Sequence, residues 1–320
     1  YIGVKTTTLT GTYDYPRGEE STAQVIDYMD SLESNTAEMW RAEMTSTQTL
    51  NDAALNHYSG LSMFNSMANV DMTVLFENFG MMGWKSGNRY TYAVGSPVTN
   101  LFMNLKYLIS RDNIYMNTYD LTEVYGVGNV KLLQNNHYLP MGFMTNSALA
   151  SWQVDENEDQ FNPFDKQQLK EKDHFISRDF TEMTNRLNYL KDIRGIGVSQ
   201  GHTDYNQFPV NKTGYGRYSF SCTDTTVTPH VKWNYEAPKD GLYLMYADIS
   251  GGDDVTVMIN DVAQSKTYGM GRSYIACIGQ CKKGDKISVY SNLQQGQSGS
   301  AMVFVDVLNQ DVFEEGYNKL

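Results

Sequence analysis

Leu242-Tyr243-Leu244-Met245-Tyr246-Ala247-Asp248-Ile249 and Ala301-Met302-Val303-Phe304-Val305-Asp306-Val307-Leu308 are the two stretches that decide the fold. Both are nearly all apolar, which fits central strands covered on both faces rather than strands with one wet side. Around them the hydrophobic period is two. Tyr218, Phe220 and Cys222 alternate with Arg217, Ser219 and Ser221, and Val255, Val257 and Ile259 alternate with Thr256, Met258 and Asn260. Ile287 and Val289 alternate with Lys286 and Ser288. Turn formers separate these runs: Pro238-Lys239-Asp240-Gly241, Gly251-Gly252-Asp253, Asn260-Asp261 and Lys283-Gly284-Asp285. Short strands at this spacing predict a β-sandwich of jelly-roll type from about residue 216 to 320.

Working towards the N-terminus, the pattern becomes a mixture of helix and strand signals. Ser21-Thr22-Ala23-Gln24 reads as a capping box ahead of Val25, Ile26, Met29 and Leu32 at helical spacing. Met39 to Met44 reads as a strand, with Trp40, Ala42 and Met44 on one face and Arg41 and Glu43 on the other. A helix is expected over Val70 to Phe79, stopped by Gly80, and a strand over Arg89 to Val94. Ser96-Pro97 is an N-cap followed by a first-turn proline, opening a helix whose inner stripe is Val98, Leu101, Phe102 and Leu105. Strands are expected at Tyr107 to Ser110, Val130 to Leu133 and Tyr138 to Met144. Residues 1–165 therefore form a mixed α/β lobe, a sheet covered by helices.

Between the lobes, residues 166–215 read as a helical connector and linker. Asn162-Pro163 opens a polar helix, and Phe180, Met183, Leu187 and Leu190 have amphipathic spacing. Glycines 195, 197, 201, 214 and 216 mark the linker. The fold class is thus α+β: a helix-covered sheet followed by an antiparallel sandwich.

Composition narrows the function. The 320 residues carry 25 basic and 37 acidic side chains, a net charge of −12, which disfavours nucleic acid and anionic lipid as partners. Apolar residues at 41%, with 23 Tyr and 4 Trp, exclude a disordered chain. No run reaches the roughly 20 apolar residues of a membrane helix; the best, Leu101 to Ile109, is broken by Asn104 and Lys106. The chain opens on Tyr1 without a signal peptide or an initiator Met, as expected of a piece of something longer.

Motifs for catalysis are missing. There is no phosphate-binding loop, and Gly296-Gln297-Ser298-Gly299-Ser300 lacks the second glycine of a nucleophile elbow. His57, His137, His174, His202 and His230 are scattered, and no Cys or His cluster fits zinc, so no metal or other cofactor is expected. Cys277 and Cys281 would lie about 13 Å apart in an extended strand, too far for a disulfide. Cys222 can pair with either across strands, or all three stay as buried thiols. The acidic run Asp155-Glu156-Asn157-Glu158-Asp159 is a solvated loop or a calcium site without EF-hand spacing. No carboxylate pair stands out for glycoside hydrolysis.

One loop carries binding chemistry. Met82-Gly83-Trp84-Lys85-Ser86-Gly87-Asn88-Arg89-Tyr90 sets Trp84, Lys85, Arg89 and Tyr90 among glycines. A flat ring suits the apolar face of a sugar, and charged donors suit hydroxyls or phosphate. Equally, Trp84 can plug a core edge with the basic residues in solvent. Trp40, Trp152 and Trp233 read as core.

An ordered set of segments in the first half resembles a known family. These are Gly60-Leu61-Ser62-Met63-Phe64-Asn65-Ser66, Phe79-Gly80, Ser96-Pro97-Val98-Thr99-Asn100-Leu101 and Leu105-Lys106-Tyr107-Leu108-Ile109-Ser110-Arg111. Asn135-Asn136, Leu139-Pro140-Met141-Gly142-Phe143 and Asn162-Pro163-Phe164 complete it. Together they resemble the extracytoplasmic region of the YfhO-like bacterial membrane proteins, closely over Trp40 to Phe164 and less sharply in the sandwich, at Ile278-Gly279 and Lys283-Gly284-Asp285. The resemblance implies a multi-spanning, GT-C-like glycosyltransferase that moves a sugar from polyprenyl phosphate to a surface polymer such as teichoic acid. Its catalytic acid would lie in the membrane half, so no catalytic residue is carried over to this chain. The implied partners are that membrane-embedded remainder and a cell-surface glycan, on the extracellular face of the bacterial membrane. A body of −12 would meet a polyanion only locally, through Lys85 and Arg89 or through Arg272, Lys282, Lys283 and Lys286. The alternatives are a non-catalytic carbohydrate-binding or adhesion module and a secreted glycosidase.

Overall fold

The computed structural model describes residues 19–84, 87–144, 181–183, 190–194, 211–212, 218–221, 230–252, 254–269, 273–293 and 298–320. The fold is α+β, with a small helix-flanked sheet followed by two antiparallel sheets packed face to face.

The first lobe opens with α1 (Glu19–Glu33), whose Val25, Ile26 and Met29 are buried while Leu32 is exposed. Ser21 lies inside α1, so the capping box is not its start. Next come β1 (Arg41–Met44), α2 (Asp52–Asn56), β2 (Met63–Phe64), α3 (Val70–Asn78), β3 (Met82–Gly83) and β4 (Arg89–Thr91). Gly80, at φ 74°, ends α3 as expected. Ser96 caps α4 (Pro97–Phe102), its hydroxyl accepting from the Thr99 amide at 3.1 Å, with Pro97 in the first turn.

β5 (Leu105–Ser110), β6 (Leu121–Val127) and β7 (Val130–Asn135) complete a four-stranded sheet in the order β1-β5-β7-β6. β1 runs parallel to β5 and the remaining pairs are antiparallel. The β6–β7 hairpin turns through Gly128 at φ 58°. Tyr138 to Met144 forms no strand. It is held instead by the Asn104 side chain, which donates to the carbonyls of Leu139 and Pro140, and by the Met141 amide on the Met39 carbonyl.

Thr181–Met183 and Leu190–Arg194 are strands (β8 and β9), not turns of an amphipathic helix. β8 pairs with Asp306 to Leu308 and β9 with His230 to Trp233, so sheet pairing overrides the helical spacing. The rest of the sandwich is β10 (Asn211–Lys212), β11 (Tyr218–Ser221), β12 (His230–Glu236), β13 (Gly241–Ser250), β14 (Val255–Ile259), β15 (Val262–Tyr268), β16 (Ile275–Cys281), β17 (Lys286–Asn292) and β18 (Ser298–Leu308). α5 (Gln310–Lys319) follows. One sheet has the order β10-β11-β18-β13-β16 with β8 beside β18, and the other β15-β14-β17-β12-β9. Asn260 and Asp261 are both left-handed (φ 51° and 64°), the backbone a tight β14–β15 hairpin requires.

β13 and β18 are buried on both faces, as their sequences predict. Tyr243, Met245, Ala247, Val303, Val305 and Val307 point into the sandwich, against Trp233, Val257, Ile287 and Val289. Leu242, Leu244, Tyr246, Met302, Phe304 and Leu308 point the other way and share a core with Phe76, Phe79, Leu101, Leu105, Leu108 and Phe313. A third cluster lies between α1 and the first sheet, around Met29, Met44, Ile109 and Leu132. In β16 a bulge interrupts the alternation. Gly279, at φ 117°, faces Tyr243 while Cys277 faces Leu244, so one residue is inserted. Cys277 consequently joins the core shared with the first lobe and Cys281 the sandwich interior.

Candidate functional site

The Trp84 loop is a hairpin between β3 and β4. Gly83 pairs with Tyr90, and the loop closes through Trp84 N–H to the Arg89 carbonyl (3.3 Å) and Gly87 N–H to the Trp84 carbonyl (2.6 Å). A Cβ on Gly83 would sit 2.5 Å from the Thr73 carbonyl, so only glycine lets the hairpin lie this close to α3. The guanidinium carbon of Arg89 lies 4.8 Å from the centre of the Trp84 ring, a cation–π arrangement that fixes both side chains at the surface.

Tyr90 is on the opposite face of β4. It is buried, tilts against Phe76 at 4.5 Å, and its hydroxyl donates to the Met63 sulfur at 3.5 Å. Burial raises its pKa. The structure thus brings Trp84 and Arg89 together and turns Tyr90 inward; Lys85 lies outside the described residues. Lys282, Lys283 and Lys286 form an exposed basic group, interleaved with Asp240, whose carboxylate accepts from Lys283 N–H, and Asp285, which accepts from Lys282 N–H. Arg272, the run Asp155 to Asp159, Trp152 and Cys222 lie outside the described residues.

Of the remaining tryptophans, Trp233 is a core residue with no exposure. Trp40 is not: it is half-buried, with its ring edge-on to Tyr107 at 5.3 Å. Glu43, expected on the face of β1 opposite Ala42 and Met44, is fully buried. Its carboxylate accepts from the amides of Met44, Leu61 and Ser62 and from the Tyr58 hydroxyl, tying the 57–62 segment to the strand. Such a set satisfies a buried carboxylate and gives Glu43 a positioning role.

The second polar constellation lies where α5 meets the first lobe. His137 Nδ1 is 2.8 Å from Asp120 Oδ1 and Nε2 is 3.0 Å from Glu314 Oε2. Tyr119 donates to Glu314, and Tyr119, Phe313 and Tyr317 surround the imidazole. Asp120 has no exposed surface. Its hydrogen bond raises the His137 pKa, with burial opposing, while burial raises Asp120 above the usual carboxylate range. Both ring nitrogens are occupied, so the imidazole joins helix to lobe rather than facing a substrate. The three residues are far apart in sequence, and no local spacing announces them.

Cys277 and Cys281 are buried free thiols whose pKa values are both pushed up to about 12 by burial. Among the described residues, no group of three or more His, Cys, Asp or Glu could hold a metal ion. No helix among them is long and apolar enough to cross a membrane.

The class defined by this architecture is an α+β body with a β-sandwich. The chain belongs to the family described as bacterial membrane protein YfhO, which it matches over residues 3–320. No curated protein matches it. Similar solved structures include a family 35 carbohydrate binding module from Clostridium thermocellum, at 12% identity and a TM-score of 0.24, over 38% of this chain and 95% of that one. A xylan binding module of family CBM86 from Roseburia intestinalis matches at 13% identity and a TM-score of 0.23, over 39% and 98%. The GH26-CBM35 β-(1,4)-mannanase of Podospora anserina matches at 13% identity and a TM-score of 0.24, over 38% of this chain and 27% of that one. At these scores the likeness transfers no function.

Proposed function

We propose that the chain is the extracytoplasmic body of a multi-spanning bacterial glycosyltransferase that takes its sugar from a polyprenyl phosphate. In this reading it holds an anionic acceptor polymer such as teichoic acid against the membrane-embedded remainder of the same polypeptide, on the outer face of the membrane. Residues 1–165 and 216–320 are its two units, joined through 166–215. Membership of a membrane-protein family supports the setting.

The observation that carries the acceptor role is the Arg89 guanidinium held 4.8 Å over the Trp84 ring in a glycine-closed hairpin. The pair offers an apolar ring for a pyranose face beside fixed donors for phosphate or hydroxyl oxygens, which a chain of net charge −12 has in few places. Lys85, adjacent in sequence, adds a second cation to the same loop.

The test is polymer modification by the full-length protein carrying Trp84→Ala or Arg89→Ala. Removing an aromatic platform or its stacked cation is expected to weaken polymer binding about tenfold, or about 1.4 kcal/mol. Unchanged binding and unchanged sugar transfer in both variants would remove this loop from the acceptor site.

A further inference from the structure

The first lobe contains an open groove of about 510 Å³, within the roughly 300–1,000 Å³ of small-ligand sites. None of its lining comes from residues 82–91. Its walls are the last turns of α1 at Asp30, the connection into β1 at Glu38 and Trp40, the start of β1 at Arg41, and the α2–β2 connection at His57 and Tyr58. Met39 and Met141 form an exposed apolar rim, joined through the Met141 amide on the Met39 carbonyl at 3.0 Å.

The polar groups of the groove are held from behind. Glu38 accepts from Lys106 Nζ at 3.0 Å and from the Tyr138 hydroxyl at 2.5 Å, contacts that lower its pKa. Arg41 donates from one guanidinium nitrogen to Asn104 Oδ1 at 3.0 Å and to the Met103 carbonyl at 3.3 Å. The Tyr58 hydroxyl is fixed on the buried Glu43 carboxylate, and the Trp40 ring is braced edge-on by Tyr107. Directions fixed in this way reduce the ordering cost of binding. His57 adds a backbone observation: it closes α2 in the left-handed region at φ 61°, a place that favours glycine, and projects a side chain at the rim.

We propose that this groove is a sugar-binding site for one or two pyranose units that present hydroxyl or amino donors and carry no phosphate. Trp40 supplies the platform for the apolar ring face, Asp30 and Glu38 accept from the sugar, and Arg41 donates. Phosphate is disfavoured because two carboxylates face the groove. The nearby Lys106 ammonium is already paired with both Glu33 (2.8 Å) and Glu38. The site is independent of the role proposed for Trp84 and Arg89.

The test is titration of the full chain with cellobiose, with glucosamine and, as the phosphate control, with glycerol phosphate. Heat and tryptophan fluorescence are read up to about 10 mM, tenfold above a 1 mM dissociation constant. Saturable binding of at least one sugar is expected, weakened tenfold or more by Trp40→Ala, with glycerol phosphate inert. Because Trp40 also packs on Tyr107, the rim variants Asp30→Ala and His57→Ala are run alongside, and at least threefold weakening is expected with an unchanged melting temperature. Absence of saturable sugar binding, equal binding by the Trp40 and rim variants, or tighter binding of glycerol phosphate would each overturn the proposal. Trp84→Ala is expected to leave this titration unchanged, so failure here and failure of the acceptor reading are separable.

Discussion

The two faces of β13 and β18 support two different cores with the same strands. Inward, β-branched residues such as Val303, Val305 and Val307 meet Val255, Val257, Ile287 and Val289 of the opposite sheet. Outward, Leu244, Tyr246 and Phe304 share a core with Phe76 of α3, Leu101 of α4, Leu105 and Leu108 of β5, and Phe313 of α5. The inner face repeats because both sides of it are pleated sheets, and β-branched residues fit that surface. The outer face has no such repeat, so long and aromatic side chains fill irregular space and a polar clamp closes its edge. Strand period therefore fixes which residues point where, and the partner fixes which side chains suit each face.

Neighbouring residues on opposite faces test this comparison most strongly. Leu244→Ala and Met245→Ala should each cost about 2–5 kcal/mol, because both side chains are buried and each leaves a cavity in a different core. Similar losses in denaturant unfolding would show that the outer face is as much a core as the inner; a near-neutral Leu244→Ala would reduce it to loose docking.

The clamp gives the next effect. His137→Ala leaves the fully buried Asp120 without its imidazole and should cost about 3 kcal/mol. The His137 pKa is raised in the fold, so its contribution is complete below the ordinary value of 6.5 and is lost as pH rises through the raised value. Asp120 is also raised, from 3.8, so it does not reverse the sign. Thermal melts from pH 5.5 to 9 should show stability falling with pH in the native chain and a flatter profile in His137→Ala. Met245→Ala should keep the native slope, which separates the two faces by titration as well as by packing.

Smaller effects concern the backbone that sets the faces. Gly279→Ala places a side chain at φ 117° and should cost about 1–3 kcal/mol, although its Cβ would meet nothing nearer than 3.7 Å. A neutral result in chemical denaturation would mean that the bulge relaxes. Ser96→Ala removes the α4 cap and should cost about 1 kcal/mol, detected as faster amide exchange at Thr99.

Much of this was legible where local chemistry and tertiary demand agree. Ser96-Pro97, Gly80 and the apolar runs of β13 and β18 each have one favourable reading, and the structure adopts it. The spacing of Phe180, Met183, Leu187 and Leu190 suits a helix, yet Thr181–Met183 and Leu190–Arg194 complete sheets whose edges need partners. Glu43 is buried against the expectation for β1 because three donors from the 58–62 segment join the adjacent Met44 amide on its carboxylate, which no period records. For the same reason Trp40 reads as core, although the groove beside it is assembled from α1, the approach to β1 and the α2–β2 connection. Of the Trp84 loop, sequence indicated Trp84 and Arg89 together, while Tyr90 follows the strand alternation inward.

The bulge at Ile278 and Gly279 also separates the two thiols of β16. Without the inserted residue, Cys277 and Cys281 would lie on one face of β16; with it, their sulfurs occupy separate cores with the strand backbone between them. An oxidant that reached both thiols could not join them without unravelling the strand, so this pair cannot serve as a reversible disulfide switch. Spacing of about 13 Å along the strand already forbids the bond, and the residue inserted at Ile278 adds the strand backbone between the two sulfurs.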